Sequence, residues 1–178
     1  MTFVLKYDTL EHTRIFLGVK MDIGNALALI GAALAVAIPA VGSSFGMTAA
    51  QQAAAGVISE EPEKFGKTLI LQLLPSSNAL YGFVVAFLVL LNTVMAGAGA
   101  PTYTNVQGLM VLGACIPVAL VGMSAIAQGK VCAACITMVG KRGELSGRAI
   151  TMAIFIELFA LFGLIFSILA VMRIPIGV

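Results

Sequence analysis

Charge is what this chain is short of. Only 10 % of its 178 residues are Asp, Glu, Lys or Arg, against 60 % hydrophobic. The few charges are unevenly placed: none lies between Ile23 and Ser59, and none between Thr68 and Gly129. A soluble fold needs a charged surface, so runs of this length exclude one and indicate a membrane protein. Histidine is nearly missing as well. His12 is the single copy and lies before every apolar run, which removes histidine ligands and histidine general bases from the membrane. Cysteine is sparse, at Cys115, Cys132 and Cys135. The C-x-x-C pair flanks Ala133 and Ala134 in a stretch that reads as membrane helix, where cysteine serves as a small apolar residue rather than a redox or metal pair. No basic patch interleaved with aromatics is present, so nucleic acid is excluded as a partner.

About 20 apolar residues cross a bilayer. The first charge-free run holds one such span and the second holds two joined by a turn. A third stretch, Ala149 to Met172, is broken only by Glu157 and makes the fourth. The expected fold is all-α and membrane-embedded, with helices Ala26 to Ser59, Phe65 to Met95, Val106 to Val139 and Leu145 to Met172. These form two tandem hairpins, 21–98 and 106–178, joined by a linker at 99–105, the clustered glycine and proline of Gly97 to Pro101 breaking the helix. Lys64, Lys67, Lys130, Lys141, Arg142 and Arg148 cluster in or near the loops after helices one and three, while Ala96 to Asn105 carries no charge. The positive-inside rule places those loops in the cytoplasm, and the linker and C-terminus outside. Residues 1–20 lack the apolar core and cleavage site of a signal peptide. They read as a short extension or an over-called start before Met21.

The two halves repeat. "LYGFVVAFLVL" (80–90) lies over "LFGLIFSILAV" (161–171), with Gly82 over Gly163, which marks an internal duplication. Each half has two spans, so both enter from the same side as parallel repeats. In this alignment Glu157 falls on Ser76: the second hairpin has an acid that the first lacks. Helices one and three are dense in small residues, "GAALAVAIPAVGSSFG" (31–46) and "GACIPVALVGMSAIAQG" (113–129). Small faces let backbones approach closely in lipid, and two whole helices of this kind fit the tightly curved inner wall of a ring of hairpins.

The polar residues in the spans concentrate at one depth. Leu74, Ser77, Asn78 and Tyr81 follow one another at i, i+3, i+4 and i+7, on one helical face. Pro75 has no N–H, which deprives the Leu71 carbonyl of its usual partner and disturbs the local ladder. Gln128 and Glu157 are equally far from the turn at Arg142 and Gly143, so they reach the same depth on adjacent antiparallel helices. Where another hairpin brings the helix-two face to them, carboxylate, amide and hydroxyl oxygens form a donor set that suits a hard monovalent cation. Simple helix-to-helix hydrogen bonding would explain Ser77 but not Glu157, because an ionised acid near the bilayer centre costs about 2.5–3.5 kcal/mol on insertion scales. It needs a cation or a proton. A free-standing channel would spread polar residues through the membrane depth, a purely structural proteolipid gives no reason for Glu157, and membrane-enzyme chemistry lacks a second carboxylate or a nucleophile.

The stretches "EPEKFGKTLILQLLPSSNALYGFVVAFL" (61–88), "SAIAQGKVCAA" (124–134) and "IELFALFGL" (156–164) resemble the membrane rotor subunit of V-type and archaeal-type ATPases, known as subunit K or the rotor proteolipid, in its duplicated four-helix bacterial form. The resemblance covers nearly the whole chain after Met21. It implies a homo-oligomeric ring in a bacterial plasma membrane, turning past a stator arginine and joined to a central stalk, with Na⁺ or H⁺ as cargo, no bound cofactor and no ATP site in this chain. It implies that Glu157 carries the ion. For sodium carriers it further implies the Leu74 carbonyl, the Ser77 hydroxyl and the amide oxygens of Asn78 and Gln128 as ligands, with Tyr81 holding the glutamate. This chain reads Ser77-Asn78 where sodium members usually read Thr-Gln, and Leu158 where a Thr often follows the acid.

Overall fold

The computed structural model describes residues 22–93 and 103–175. The expected N-terminal extension with His12, the turn at Gly97 to Pro101, the end of helix two at Met95 and the last residues of the chain lie outside these. The described chain is all-helical: α1 (Ile23–Glu60), α2 (Phe65–Leu73), α3 (Ser77–Asn92), α4 (Asn105–Val121), α5 (Ser124–Lys141) and α6 (Ser146–Arg173). Short 3₁₀ turns at Pro62–Lys64, Leu74–Ser76 and Gly143–Leu145 join successive segments. Among the described residues there are four spans long and apolar enough to cross a membrane: Ile23–Glu60, Pro62–Asn92, Asn105–Lys141 and Gly143–Arg173.

Two of the expected helices are interrupted. The second span changes from α2 to α3 through the 3₁₀ turn Leu74–Ser76, where the missing N–H of Pro75 makes a tighter turn the cheaper arrangement. The third span, expected to run unbroken, divides at Gly122 and Met123 between α4 and α5. There Met123 N–H donates to the Leu120 carbonyl and Ala125 N–H to that of Gly122, an i to i−3 pattern. Pro39 of α1 packs against this point so closely that a Cβ on Gly122 would lie 2.5 Å from the ring.

Spans one and three lie side by side and parallel, backbone on backbone. A Cβ added to Gly108 would lie 2.1 Å from the Gly24 carbonyl oxygen, and one on Gly129 would lie 2.1 Å from that of Gly46. Contacts near both ends in the same order require parallel helices, as the duplication predicts. Spans two and four flank this pair. The ends are tied by polar contacts: Tyr103 N–H donates to Asn25 Oδ1 at 3.0 Å, Thr104 and Gln107 form a capping box at the start of α4, and Lys64 Nζ donates to the Gly140 carbonyl.

The last span shows how sequence pattern sets orientation. Phe155, Phe159, Phe162 and Phe166 recur at helical spacing and all point outward, an apolar stripe suited to lipid. The opposite stripe, Ala149, Ala153, Glu157, Ala160, Gly163, Ser167 and Val171, is buried. Small residues there bring the helix close to its neighbours, and Glu157 occupies the middle of that inward line. Cys115, Cys132 and Cys135 are free and buried, packed in apolar clusters as small side chains.

Candidate ion-binding site

The site begins at Pro75. The 3₁₀ turn ends at Ser77, and α3 then carries Ser77, Asn78 and Tyr81 upward on the face turned to α5 and α6. Tyr81 Oη donates to Glu157 Oε1 at 2.6 Å. From the other side Gln128 Nε2 donates to Glu157 Oε2 at 2.5 Å, and Asn78 Nδ2 donates to Gln128 Oε1 at 3.1 Å. Hydroxyl, carboxylate and two amides form one continuous chain of hydrogen bonds. Gln128 is 0 % exposed, Asn78 1 % and Glu157 9 %, so these bonds are made away from solvent, where an unmade one is most unfavourable.

One chain supplies all four groups. The sequence places Gln128 and Glu157 at one depth but leaves open which hairpin brings the helix-two face to them. The structure answers with the first hairpin of the same chain. Ser77 and Leu74 lie at the edge of the network. Both line a groove of about 470 Å³ with Ser76, Tyr81 and Glu157, between spans two and four. Ser77 Oγ donates to the Leu74 carbonyl at 2.7 Å, and the backbone N–H of Ser77 is directed to the same oxygen. The Ser77 oxygen therefore keeps its lone pairs for a further partner, whereas the Leu74 carbonyl is already occupied by two donors.

Among the described residues no Lys or Arg forms an ion pair with Glu157; the pair that is made, Lys64 with Glu61, belongs to the loop. Among them, too, no group of three or more His, Cys, Asp or Glu lies together; the donors around Glu157 are hard oxygens. Among the described residues, Asn78 Oδ1 is a buried acceptor without a partner. A buried acceptor left unmade is unfavourable, and a small cation or a donor would satisfy it.

Sequence reasoning missed two contributors. The Ala153 carbonyl, one turn before Glu157, accepts a long bond of 3.5 Å from Gln128 Nε2. A backbone group at an alanine leaves no mark in the sequence. Ser43 of α1 accepts the N–H of Ala79 at 3.1 Å, which fixes α1 against the start of α3. The signal for it was a buried serine in the small-residue run 31–46.

Comparison with known proteins bears directly on this geometry. The family model for the C subunit of ATP synthase matches residues 30–89 and again residues 112–170, once in each half. The chain belongs to the ATP synthase C-subunit family. The two matches also show the duplicated form within it, with four spans in place of two. The V-type sodium ATPase subunit K of Enterococcus hirae is 41 % identical over 151 residues, covering 84 % of this chain and 93 % of that protein. The A-type ATP synthase subunit K of Methanocaldococcus jannaschii is 34 % identical over 143 residues, 80 % of this chain and 60 % of that protein. The 16 kDa proteolipid of the V-type proton ATPase of Nephrops norvegicus is 33 % identical over 143 residues, 79 % of this chain and 86 % of that protein. The chain is thus a multi-pass membrane proteolipid of the V/A-type ATPases.

Proposed function

We propose that copies of this chain close into the rotor ring of a V/A-type ATPase in a bacterial plasma membrane, and that each copy carries one Na⁺ at Glu157. The observation that carries this reading is the carboxylate of Glu157, deep in the spans and held from both sides by Tyr81 and Gln128 at 2.6 and 2.5 Å. A cation entering from the groove meets the carboxylate first. The Ser77 hydroxyl and the amide oxygens of Gln128 and Asn78 replace its lost hydration, and Tyr81 holds the carboxylate in place. The Leu74 carbonyl joins only by releasing one of its two present donors. Rotation then brings the loaded site to a stator arginine, which displaces the cation, and a central stalk couples that motion to ATP hydrolysis or synthesis. The basic loops face the cytoplasm and the linker and C-terminus face outward, in accord with the positive-inside rule.

Sodium is favoured over the proton by the number of oxygens. A proton carrier needs only the acid, whereas Na⁺ has to recover its hydration from several ligands, and buried amides are costly without such a task. A proton ring is the second reading. It is favoured by the shorter reach of Asn78, in which case the amides only hydrogen-bond the neutral acid. The test is labelling of Glu157 by a hydrophobic carbodiimide, which attacks the protonated carboxyl. At fixed pH, millimolar Na⁺ should slow the reaction; labelling that follows pH and ignores Na⁺ identifies a proton ring.

A further inference from the structure

Among the described residues, three polar side chains from three different spans, Asn78, Ser124 and Ser43, carry hydrogen-bonding capacity that is shielded from solvent and unused. Among these residues Asn78 Oδ1 has no partner, and neither has Ser124 Oγ, which is fully shielded from solvent. Ser43 is 3 % exposed; it accepts the N–H of Ala79, and its own hydroxyl hydrogen has no acceptor among the described residues. Several contacts place these groups in one neighbourhood. Ala79 directly follows Asn78. A Cβ on Gly42, next to Ser43, would lie 2.8 Å from the Gly122 carbonyl oxygen and 3.1 Å from Met123 Cα, just before Ser124. Ser124 precedes Gln128 by four residues on α5, and Gln128 is the partner of Asn78.

Four residues of helix rise about 6 Å, so Ser124 lies roughly one turn from the Asn78–Gln128 bond, too far for its short side chain to reach it directly. Two oxygens joined through one water, at about 2.8 Å per hydrogen bond, are separated by up to about 5.6 Å. Buried waters typically make about three hydrogen bonds to groups that are otherwise unsatisfied. We propose that a single buried water molecule bridges Asn78 Oδ1, Ser124 Oγ and Ser43 Oγ, and that the two serines are positioning residues of the ion site. The water donates to Asn78 and Ser124 and accepts from Ser43.

This deepens the reading of Glu157 as a cation carrier and rests on it. In the arrangement described, both amides present their N–H₂ ends toward the carboxylate: Asn78 to Gln128, and Gln128 to Glu157. A cation at Glu157 needs the Gln128 oxygen turned to it instead. Gln128 Nε2 then faces Asn78, which has to turn its own oxygen to that side, where one lone pair accepts from Gln128 and the other is left for the cation, and its N–H₂ to the far side. A water flanked by hydroxyls receives either end of Asn78, because water and hydroxyl both donate and accept. The amide pair can therefore reverse with every loading and unloading, and no buried polar atom is stranded. Outer partners that orient ligands in this way tune affinity without touching the ion.

The experiment uses the intact purified ring. A cryo-EM map that resolves ordered water should show density within hydrogen-bond distance of Asn78, Ser124 and Ser43; a dry contact there overturns the proposal. In the same ring Ser124→Ala should raise the Na⁺ concentration that half-protects Glu157 from carbodiimide by about tenfold or more, with the labelling rate in the absence of Na⁺ and the ring itself unchanged. Ser124→Thr, which keeps the hydroxyl, should restore it. A Ser124→Ala ring with wild-type Na⁺ protection overturns the positioning role. If wild-type labelling ignores Na⁺, the sodium reading fails by that result, while the map still decides the water.

Discussion

Tyr81 Oη meets Glu157 Oε1 at 2.6 Å, joining the second span to the fourth across the groove that opens beside the acid. A phenol is suited to this task. It donates to the carboxylate without adding a charge, so it stabilises the anion yet leaves room for a cation to neutralise it. A lysine there would make a permanent pair and silence the site.

Removing that hydroxyl gives the first prediction. Hydrogen bonds to charged groups contribute about 1.5–3 kcal/mol, and about 1.4 kcal/mol is tenfold in an equilibrium constant. In Tyr81→Phe the ring should still assemble, and the Na⁺ concentration that half-protects Glu157 from carbodiimide should rise about tenfold or more. Protection equal to wild type would show that Tyr81 packs against the site without holding it.

The second prediction separates the two hairpins. Glu157→Gln keeps shape and hydrogen bonding but cannot change charge, so ATP-driven ion transport in reconstituted vesicles should stop while the ring remains intact. Ser76, its counterpart in the first half, bonds among the described residues to the Leu73 carbonyl behind it. Ser76→Ala should transport at nearly the wild-type rate. Transport surviving in Glu157→Gln would remove the acid from the mechanism.

Particular residues show what was legible beforehand. The spans followed from where charge is missing, because lipid tolerates charge so poorly that its absence over about 20 residues is a direct physical signature. Glu157 was legible for the same reason in reverse. Pro75 announced a disturbed ladder through its missing N–H, but not the 3₁₀ turn that resolves it. The break at Gly122 and Met123 did not show, because its cause lies in another span: Pro39 presses on a glycine that, read locally, is only one small residue among many. The Ala79 to Ser43 bond and the union of all four network groups within one chain were hidden likewise. They depend on how spans one and three are set against each other, a relation between residues about 80 positions apart that no local pattern encodes.

The third prediction tests that setting. A Cβ on Gly129 would lie 2.1 Å from the Gly46 carbonyl oxygen and 2.3 Å from its Cα, so Gly129→Ala has to push two backbones apart. Overpacking of this kind costs about 1–3 kcal/mol and sometimes more. Gly129 also adjoins Gln128, so the displacement reaches the amide pair. Gly129→Ala should lower the temperature at which the detergent-solubilised ring dissociates on a gel, and should weaken Na⁺ protection with it. Gly66→Ala is the control, since a Cβ there meets nothing within 4 Å. Its ring should dissociate at the wild-type temperature or slightly above, as alanine favours helix over glycine by about 1 kcal/mol.

The last prediction concerns Ser77 and distinguishes the two cargoes. Its hydroxyl hydrogen is engaged by the Leu74 carbonyl at 2.7 Å, so toward the groove it offers lone pairs only. A sodium ion uses lone pairs; a proton already held on Glu157 needs an acceptor and has Gln128 nearer at hand. Ser77→Ala should therefore weaken sodium protection by about tenfold, the effect of losing one oxygen ligand in a water-poor site, where about 1.4 kcal/mol corresponds to a factor of ten. Carbodiimide labelling in the absence of sodium should proceed as before, and Ser77→Thr should behave as wild type, because the hydroxyl survives and the added methyl faces an open groove. Were Ser77→Ala to leave sodium protection unchanged while Tyr81→Phe altered it, the ion would be held on the Gln128 side of the carboxylate. Ser77 would then serve only to close the turn that Pro75 begins.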